Sequence, residues 1–174
     1  IYGPVGVGKT HLLQALGSDL QKKYPDQKVK YTSITRFLSE FVYTIQNKQS
    51  VETFRNKYYA YHTLIIDDIQ LLNSSAEKTQ DEFYALFNYM YERKRQIIIA
   101  SDRPIMELPV YDRLKSRFST GNQIWIQKPD SEIRIKILEA KAFQLNLSLS
   151  ENTKMFLCEN FKSDTRNLIG ALNE

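Results

Sequence analysis

Short runs of apolar, β-branched residues alternate along this chain with longer segments whose apolar residues recur at helical spacing. The runs that predict strands are 29–32, 63–66, 96–100 and 123–126. Regular alternation of strands with helices is typical of a parallel sheet that is covered by helices. The pattern therefore predicts an α/β fold.

Beyond residue 128 the strand signals stop. Apolar period and turn residues predict three helices there, at about 131–145, 151–161 and 164–173. We therefore expect two domains, a sheet-containing core over residues 1–128 and a small all-helical domain over 129–174 that is incomplete at its C-terminus.

An insertion is predicted between the strands at 29–32 and 63–66, because this crossover is long and contains two helices, about 34–48 and 51–60. The apolar stripe predicted for the first of them comprises Phe37, Leu38, Phe41, Val42 and Ile45. Tyr43 falls on the opposite face beside Arg36, so this insertion, about 34–60, should expose a tyrosine.

Another helix is predicted to begin at the capping box Thr79-Gln80-Asp81-Glu82. Its expected core face comprises Phe83, Leu86, Phe87 and Met90. Lys78 directly precedes the cap and is expected to reach outward.

The phosphate-binding pattern G-x-x-x-x-G-K-[ST] opens the chain as Gly3-Pro4-Val5-Gly6-Val7-Gly8-Lys9-Thr10. Its glycines let backbone N–H groups turn toward phosphate oxygens, while Lys9 supplies a positive charge and Thr10 a hydroxyl for Mg²⁺. A helix with Leu12, Leu13 and Leu16 on one face should follow. The pattern predicts a bound nucleoside triphosphate, and the alternative is a plain glycine turn before a helix.

Such a loop usually follows a buried strand, and Ile1-Tyr2 is all that precedes Gly3. We expect the first strand to be truncated here, with residues upstream of it.

Two carboxylates, Asp67 and Asp68, follow the apolar run at 63–66. The C-terminal edge of a parallel sheet is where a ligand binds. Asp67 is predicted to hold Mg²⁺ through its water shell, and Asp68 to orient or deprotonate the attacking water. The alternative is a solvated turn, in which Asp is common.

The next strand ends at Ser101 and Asp102, which should lie at the same edge, and we expect either Ser101 or Asp102 to sense the γ-phosphate. A turn before Pro104 competes with this interpretation, because Asp-x-Pro favours turns.

Three arginines have two interpretations each. Arg113 and Arg117 lie on one helical row, either as solvated surface or as an arginine finger that reaches a phosphate on an adjoining molecule. Arg166 falls in the first turn of the last helix, after a predicted N-cap at Ser163, where the helix dipole disfavours a cation. An anionic ligand would offset the unfavourable interaction of Arg166 with the helix dipole. If Arg166 is freely solvated, no ligand is needed, because water screens its charge.

Composition narrows the class of protein. No apolar run among the 174 residues approaches the roughly 18 that span a bilayer, so we expect no membrane span. The single cysteine, Cys158, lies in an apolar context and fits a core thiol in a reducing, cytoplasmic setting. The net charge of +4 mildly favours a polyanionic partner, and the alternative is that a bound nucleotide alone accounts for the positive charge.

In this order the motifs resemble the AAA+ module of the DnaA family, the bacterial chromosomal replication initiators, over nearly the whole chain. The segments that carry the resemblance are residues 3–14, 64–70, 101–104, 112–118 and 166–173. General AAA+ ATPases carry Glu at the position of Asp68, whereas proteins similar to DnaA carry Asp. The resemblance implies a three-layer αβα P-loop fold with the C-terminal helices as a lid.

Roles for individual residues follow from this resemblance. Lys9 and Thr10 would form Walker A, within a nucleotide contact that extends from Gly3 to His11, and Asp67 and Asp68 would form Walker B. Sensor 1 would be Asp102, the arginine finger Arg117, and sensor 2 Arg166. The helical insertion would steer subunits into a filament, and Tyr43 and Lys78 would contact single-stranded DNA.

The function implied is an ATP-hydrolysing switch, with ATP or ADP and Mg²⁺, that assembles on origin DNA and engages single-stranded DNA. Replicative helicase machinery would be reached through domains that this chain lacks. Helicase loaders and transposition helper ATPases are the nearest rivals, followed by a non-hydrolysing scaffold and a small-molecule kinase. Residues 73–78 run longer than expected of the family, which weakens the placement of Lys78.

Overall fold

The computed structural model describes residues 1–73, 77–161 and 164–172. The strands are β1 (Val29–Ser33), β2 (Thr63–Asp67) and β3 (Gln96–Ile99). The helices are α1 (Lys9–Lys23), α2 (Ile34–Gln46), α3 (Val51–Tyr59), α4 (Glu77–Glu92), α5 (Asp112–Ser119), α6 (Ser131–Gln144), α7 (Glu151–Asn160) and α8 (Thr165–Gly170). Short 3₁₀ helices span Ile69–Leu71 and Ile105–Glu107.

The chain forms two compact units. The first unit comprises Ile1–Tyr2 and Lys9–Trp125, and the second comprises Gly3–Gly8 and Ile126–Glu174. The assignment of residues 1–128 and 129–174 to separate domains, and the role of the second as a lid, stay predictions.

A parallel sheet in the order β1-β2-β3 lies at the centre of the first unit. Thr63 of β2 is in register with Val29 of β1 and with Gln96 of β3. Because the strands are parallel, their C-terminal ends share one edge. The predicted α/β fold is confirmed.

Helices cover both faces of this sheet. Leu64 and Ile66 point into the larger core, together with buried side chains of α2, α3, α4 and α5. Ile65 lies on the opposite face against Leu13 of α1. The alternation along β2 thus produces three layers within the first unit, as successive strand residues face opposite sides.

The insertion folds as two helices, as predicted, and is held by aromatic packing. The Phe37 ring makes edge contacts with Phe54 at 5.2 Å, Tyr58 at 4.9 Å and Phe83 at 5.5 Å between centroids. Ser33 and Ser50 cap α2 and α3 through their side-chain oxygens.

The predicted stripe of α2 was wrong at two positions. The buried residues are Ile34, Phe37, Phe41 and Thr44, whereas Val42 and Ile45 are exposed. Val42 lies 100° around the helix from Phe41, and α2 buries only the narrow face that meets the core. A prediction from hydrophobicity alone therefore gave a buried stripe that was too wide.

Residues 123–126 do not form the predicted strand. Among the described residues, Tyr2 pairs with this segment through an isolated bridge to Trp125, and its N–H donates to the Ile124 carbonyl at 2.9 Å. Ile124 and Trp125 remain exposed. One pairing residue does not build a ladder, so the β-branched run stays irregular.

Two helix details also differ from expectation. Helix α4 begins at Glu77, so Thr79 lies inside it, and Glu82 binds Arg55 at 2.8 Å instead of completing a capping box. Lys78 therefore lies in the first turn, with an exposed side chain. On α1, Leu13 is buried but Leu12 is exposed, because one face of this helix meets the sheet.

In the second unit, α6, α7 and α8 pack around Leu138, Cys158 and Leu168. Cys158 is buried as predicted, and burial raises the pKa of its thiol. Asp164 caps α8, and the predicted cap, Ser163, lies outside the described residues. No described helix is both long enough and apolar enough to cross a membrane.

Candidate functional site

Asp67 is the last residue of β2 and lies at the C-terminal edge of the sheet with 2% of its surface exposed. Its Oδ2 accepts hydrogen bonds from Thr10 Oγ1 at 2.7 Å and from the Tyr31 hydroxyl at 2.9 Å. Its Oδ1 accepts from the Asp68 N–H at 3.0 Å. Thr10 and Asp67, predicted to act together, are thus in direct contact across 57 positions of sequence.

This contact suits a magnesium ion that is bound with a nucleotide. Thr10 donates its hydroxyl proton to Asp67, so the lone pairs of its oxygen are available to a cation. The described residues contain no group of three or more His, Cys, Asp or Glu side chains that could hold a metal. Mg²⁺ is commonly bound through one or two protein groups, with water and substrate phosphates as its other ligands. Thr10 and Asp67 fit that role.

Tyr31 on β1 is a site residue that the sequence did not indicate. Burial and the hydrogen bond to Asp67 raise the pKa of its phenol to about 12, while a hydrogen bond with Gln14 acts in the opposite direction. Tyr31 is in register with Ile65, which shares a face of β2 with Asp67. Strand register would have indicated Tyr31, but the register is known only once β1 is known to pair with β2.

Asp68 follows in the left-handed region, with φ 56° and ψ 42°. Gln70 Nε2 donates to its Oδ1 at 2.9 Å. The Gln70 Oε1 accepts the Asp102 N–H at 3.3 Å. Asp68 and Asp102, predicted at the ends of two strands, are therefore joined through one glutamine that sequence reasoning left without a role.

Asp102 is partly exposed and forms a two-point ion pair with Arg103, with Nε–Oδ1 at 2.7 Å and NH2–Oδ2 at 3.0 Å. This guanidinium lowers the pKa of Asp102, and the positive charge of Lys9 contributes in the same direction. Lys9 is 8% exposed. The Arg103 N–H also donates to Ser101 Oγ at 3.1 Å, so a turn is present beside the sensor candidate.

The glycine loop belongs to the second unit. Gly6 and Gly8 have φ of 79° and 94°, a region that side-chain-bearing residues rarely adopt. A Cβ on Gly6 would also lie 2.0 Å from Oδ1 of Asp164. Gly6 is therefore required both by backbone conformation and by close packing. Pro4 and Val7 of the loop are partly buried, and Val5 is exposed.

Arg166 lies beside this loop in the same unit. The Thr165 N–H donates to the Gly6 carbonyl at 3.1 Å, and the Arg166 N–H donates to Asp164 Oδ1 at 2.7 Å. The Arg166 side chain is exposed, near the start of α8. Two predicted parts of the nucleotide contact, the loop and Arg166, thus meet within the second unit.

The two arginines of α5 are held differently. Arg113 pairs with Asp81 and stacks over the Tyr84 ring at 4.8 Å and the Tyr111 ring at 5.2 Å. Arg117 is half-buried over the Tyr91 ring at 5.8 Å. Hydrogen bonds with Asn88 and with Arg117 lower the pKa of Tyr84. Arg113 carries an ion pair within its own chain, which distinguishes it from Arg117.

The remaining predicted residues are on the surface. Tyr43 on α2 is 59% exposed, in agreement with its predicted position. Lys78 on α4 is exposed, and so is His11 in the first turn of α1.

Comparison with known proteins identifies the family. Residues 1–125 match the family model described as the bacterial DnaA ATPase domain. The chromosomal replication initiator protein DnaA of Leptospira biflexa serovar Patoc is 49% identical over 176 residues, which cover all of this chain and 40% of that protein. The chain thus spans well under half the length of that relative.

Solved structures of similar proteins agree with this family assignment. Domain III of the Thermotoga maritima replication initiation protein DnaA superposes with a TM-score of 0.94 at 35% identity, over 99% of this chain and 72% of that one. A replication initiator DnaA bound to AMPPCP and single-stranded DNA gives a TM-score of 0.84 at 38% identity, over 99% and 52%. The motif order, the Thr10–Asp67 contact and these matches agree, and the chain belongs to the family of bacterial DnaA ATPase domains.

Proposed function

We propose that this chain binds ATP or ADP with Mg²⁺, hydrolyses ATP slowly, and acts as the nucleotide switch of a chromosomal replication initiator. The observation that carries the proposal is the 2.7 Å hydrogen bond from Thr10 to Asp67. It joins the residue that ends the phosphate-binding pattern to the carboxylate that ends β2. The similar DnaA bound to AMPPCP supports a triphosphate as the ligand.

In this proposal the loop from Gly3 to Gly8 and Lys9 would bind the phosphates, and Thr10 and Asp67 would hold Mg²⁺. Bound Mg²⁺ would neutralise phosphate charge. Asp68 accepts a hydrogen bond from the attacking water and orients it. Asp102 senses the γ-phosphate beside Lys9.

Two arginines extend the switch. Arg166 supplies positive charge near the loop and acts as sensor 2. Arg117 reaches the nucleotide of a neighbouring copy as an arginine finger, which would make assembly depend on ATP. Copies that each reach the nucleotide of the next copy would form a homo-oligomer or a helical filament.

The DNA-facing part of the proposal rests on exposed groups of the first unit. Tyr43 offers an exposed aromatic ring and Lys78 an exposed cation. Aromatic contacts and neutralised phosphates give sequence-tolerant, salt-sensitive binding of single strands. The similar DnaA bound to single-stranded DNA supports single strands as a ligand. Origin DNA, the replicative helicase machinery and a cytoplasmic location belong to the whole-protein proposal.

A lysine substitution tests the nucleotide site. In the full-length protein, Lys9→Ala should weaken ATP binding by roughly ten- to a hundredfold, the scale of a lost charged hydrogen bond. Isothermal titration with MgATP measures this. Lys22→Ala removes an exposed charge from the last turn of the same helix and should bind as the wild type does. Equal affinity in all three proteins would contradict the proposed site.

A further inference from the structure

Gln70 lies in the 3₁₀ helix Ile69–Leu71, directly after the two carboxylates, and it has no role in the function proposed above. Both ends of its side-chain amide are used. Nε2 donates to Asp68 Oδ1 at 2.9 Å, and Oε1 accepts from the Asp102 N–H at 3.3 Å. The side chain of Gln70 therefore joins the segment after β2 to the segment after β3.

The backbone already aligns these two segments. The Ile69 N–H donates to the Ala100 carbonyl at 3.0 Å, and the Ala100 N–H donates to the Ile66 carbonyl at 2.9 Å. The bridge made by Gln70 is therefore not needed to hold the strand ends together. What it adds is a fixed direction for the Asp68 carboxylate.

The hydrogen bond from Gln70 restricts the side chain of Asp68, which would otherwise be free to change its conformation. Its backbone is in the left-handed region, which Asp tolerates, and it is partly exposed at the edge of the sheet. A short side chain on a turn has several rotamers of similar energy, and a carboxylate that orients water must stay in one of them. A neutral amide supplies a donor to the carboxylate without a charge that would compete with a cation.

We propose that Gln70 is a positioning residue for ATP hydrolysis, which fixes the Asp68 carboxylate relative to the backbone of Asp102. The inference rests on the proposed function, in which Asp68 orients the attacking water and Asp102 senses the γ-phosphate. Gln70 itself touches neither the phosphates nor the water.

Two substitutions separate the two halves of the bridge. Gln70→Ala removes both hydrogen bonds. Gln70→Glu keeps an acceptor for the Asp102 N–H but loses the donor and places a second carboxylate against Asp68. Gln80→Ala is the matched control, because the Gln80 amide also bridges two segments, from the Asn73 carbonyl at 2.8 Å to the Tyr111 N–H at 2.8 Å.

The experiment uses the full-length protein and four measurements. These are single-turnover hydrolysis of bound ATP, ATP affinity, thermal melting without nucleotide, and hydrogen exchange of the Asp102 amide in the nucleotide-free state. Both Gln70 variants should slow hydrolysis by roughly ten- to a hundredfold, as expected when a hydrogen bond to a charged group is lost, with ATP affinity unchanged. Exchange of the Asp102 amide should accelerate in Gln70→Ala and stay slow in Gln70→Glu.

The control should behave in the opposite way. Gln80→Ala should lower the melting temperature and leave hydrolysis of bound ATP at the wild-type rate. Wild-type hydrolysis in both Gln70 variants would overturn this inference alone. So would a Gln70→Ala variant that loses only stability, as the control does. A wild-type protein that binds no ATP would instead overturn the proposed function together with this inference.

Discussion

Thr10 has a single hydroxyl proton and donates it to Asp67. A hydroxyl has two lone pairs in addition to that donor, so Thr10 can serve a carboxylate and a cation at the same time. Tyr31 completes the arrangement by donating to the same carboxylate oxygen. The direction of these hydrogen bonds, more than the presence of the residues, is what suits the pair to Mg²⁺.

Two substitutions of Thr10 test whether its hydroxyl contacts both Asp67 and Mg²⁺. Thr10→Ser keeps the hydroxyl and should keep Mg²⁺-dependent ATP binding. Thr10→Val is nearly isosteric but lacks the hydroxyl, so it should lose most of the gain in affinity that Mg²⁺ gives, roughly tenfold or more for a lost charged contact. ATP titrations with Mg²⁺ and with EDTA measure the gain. An unchanged gain in Thr10→Val would exclude Thr10 as a metal ligand.

At the scale of elements, the α2–α3 insertion is held by one carboxylate as well as by its aromatic core. Glu40 of α2 binds Arg36 on its own helix at 3.2 Å, and on α3 it binds Lys57 at 2.8 Å and the Tyr58 hydroxyl at 2.9 Å. Burial by itself raises the pKa of Glu40, but these hydrogen bonds outweigh it and lower the pKa below the usual 4.5. Glu40 therefore stabilises the helix pair in its charged form.

The substitution Glu40→Gln should lower the free energy of unfolding at pH 7 by about 2 kcal/mol, the scale of charged hydrogen bonds. Because the folded pKa lies below the unfolded one, this contribution is fully present above pH 4.5 and is lost as the pH falls through the folded value. Urea denaturation at pH 7 and at pH values below 4.5 measures the difference. The difference in the free energy of unfolding between Glu40→Gln and the wild type should become smaller as the pH falls.

A nearby carboxylate provides the control for Glu40. Glu52 is exposed in the first turn of α3, where the helix dipole and the nearby charge of Arg55 favour it weakly. Glu52→Gln should change the free energy of unfolding by about 0.5 kcal/mol or less. A Glu40→Gln variant as stable as Glu52→Gln would mean that the aromatic contacts alone hold the insertion.

At the scale of the whole molecule, the proposed assembly would depend on which arginine of α5 is available to another copy. Arg113 is exposed, but its guanidinium is paired with Asp81 and stacks over the Tyr84 and Tyr111 rings. Arg117 contacts the Tyr91 ring and lies one helical turn further along. Among the described residues Arg117 has no carboxylate partner, and this difference favours Arg117 as the group that reaches a neighbouring nucleotide, in agreement with the role the family resemblance implies.

Sedimentation of the full-length protein with ATP and with ADP distinguishes the two arginines. Arg117→Ala should bind ATP normally and fail to form the larger species that the wild type forms with ATP. Arg113→Ala should still assemble, with some loss of stability from its broken ion pair. ATP-dependent oligomers of normal size in Arg117→Ala would refute the finger assignment.

The sequence by itself determined what is local. The phosphate-binding loop is one contiguous pattern, the carboxylates follow a buried strand directly, and the helical and strand periods fix most elements to within a few residues. Glycines with positive φ and capping side chains act over a few positions of sequence. Such features need no knowledge of distant residues, and the α/β fold and the Asp67–Asp68 edge followed from them.

The tertiary structure decided what depends on pairing and on shared faces. Strand register brought Tyr31 to Asp67, and the junction of β2 and β3 brought Gln70 to Asp102. The width of the buried face of α2 left Val42 exposed, and the lack of a longer partner among the described residues left 123–126 without a strand. Each outcome rests on contacts between residues far apart in sequence, which no local period or motif encodes.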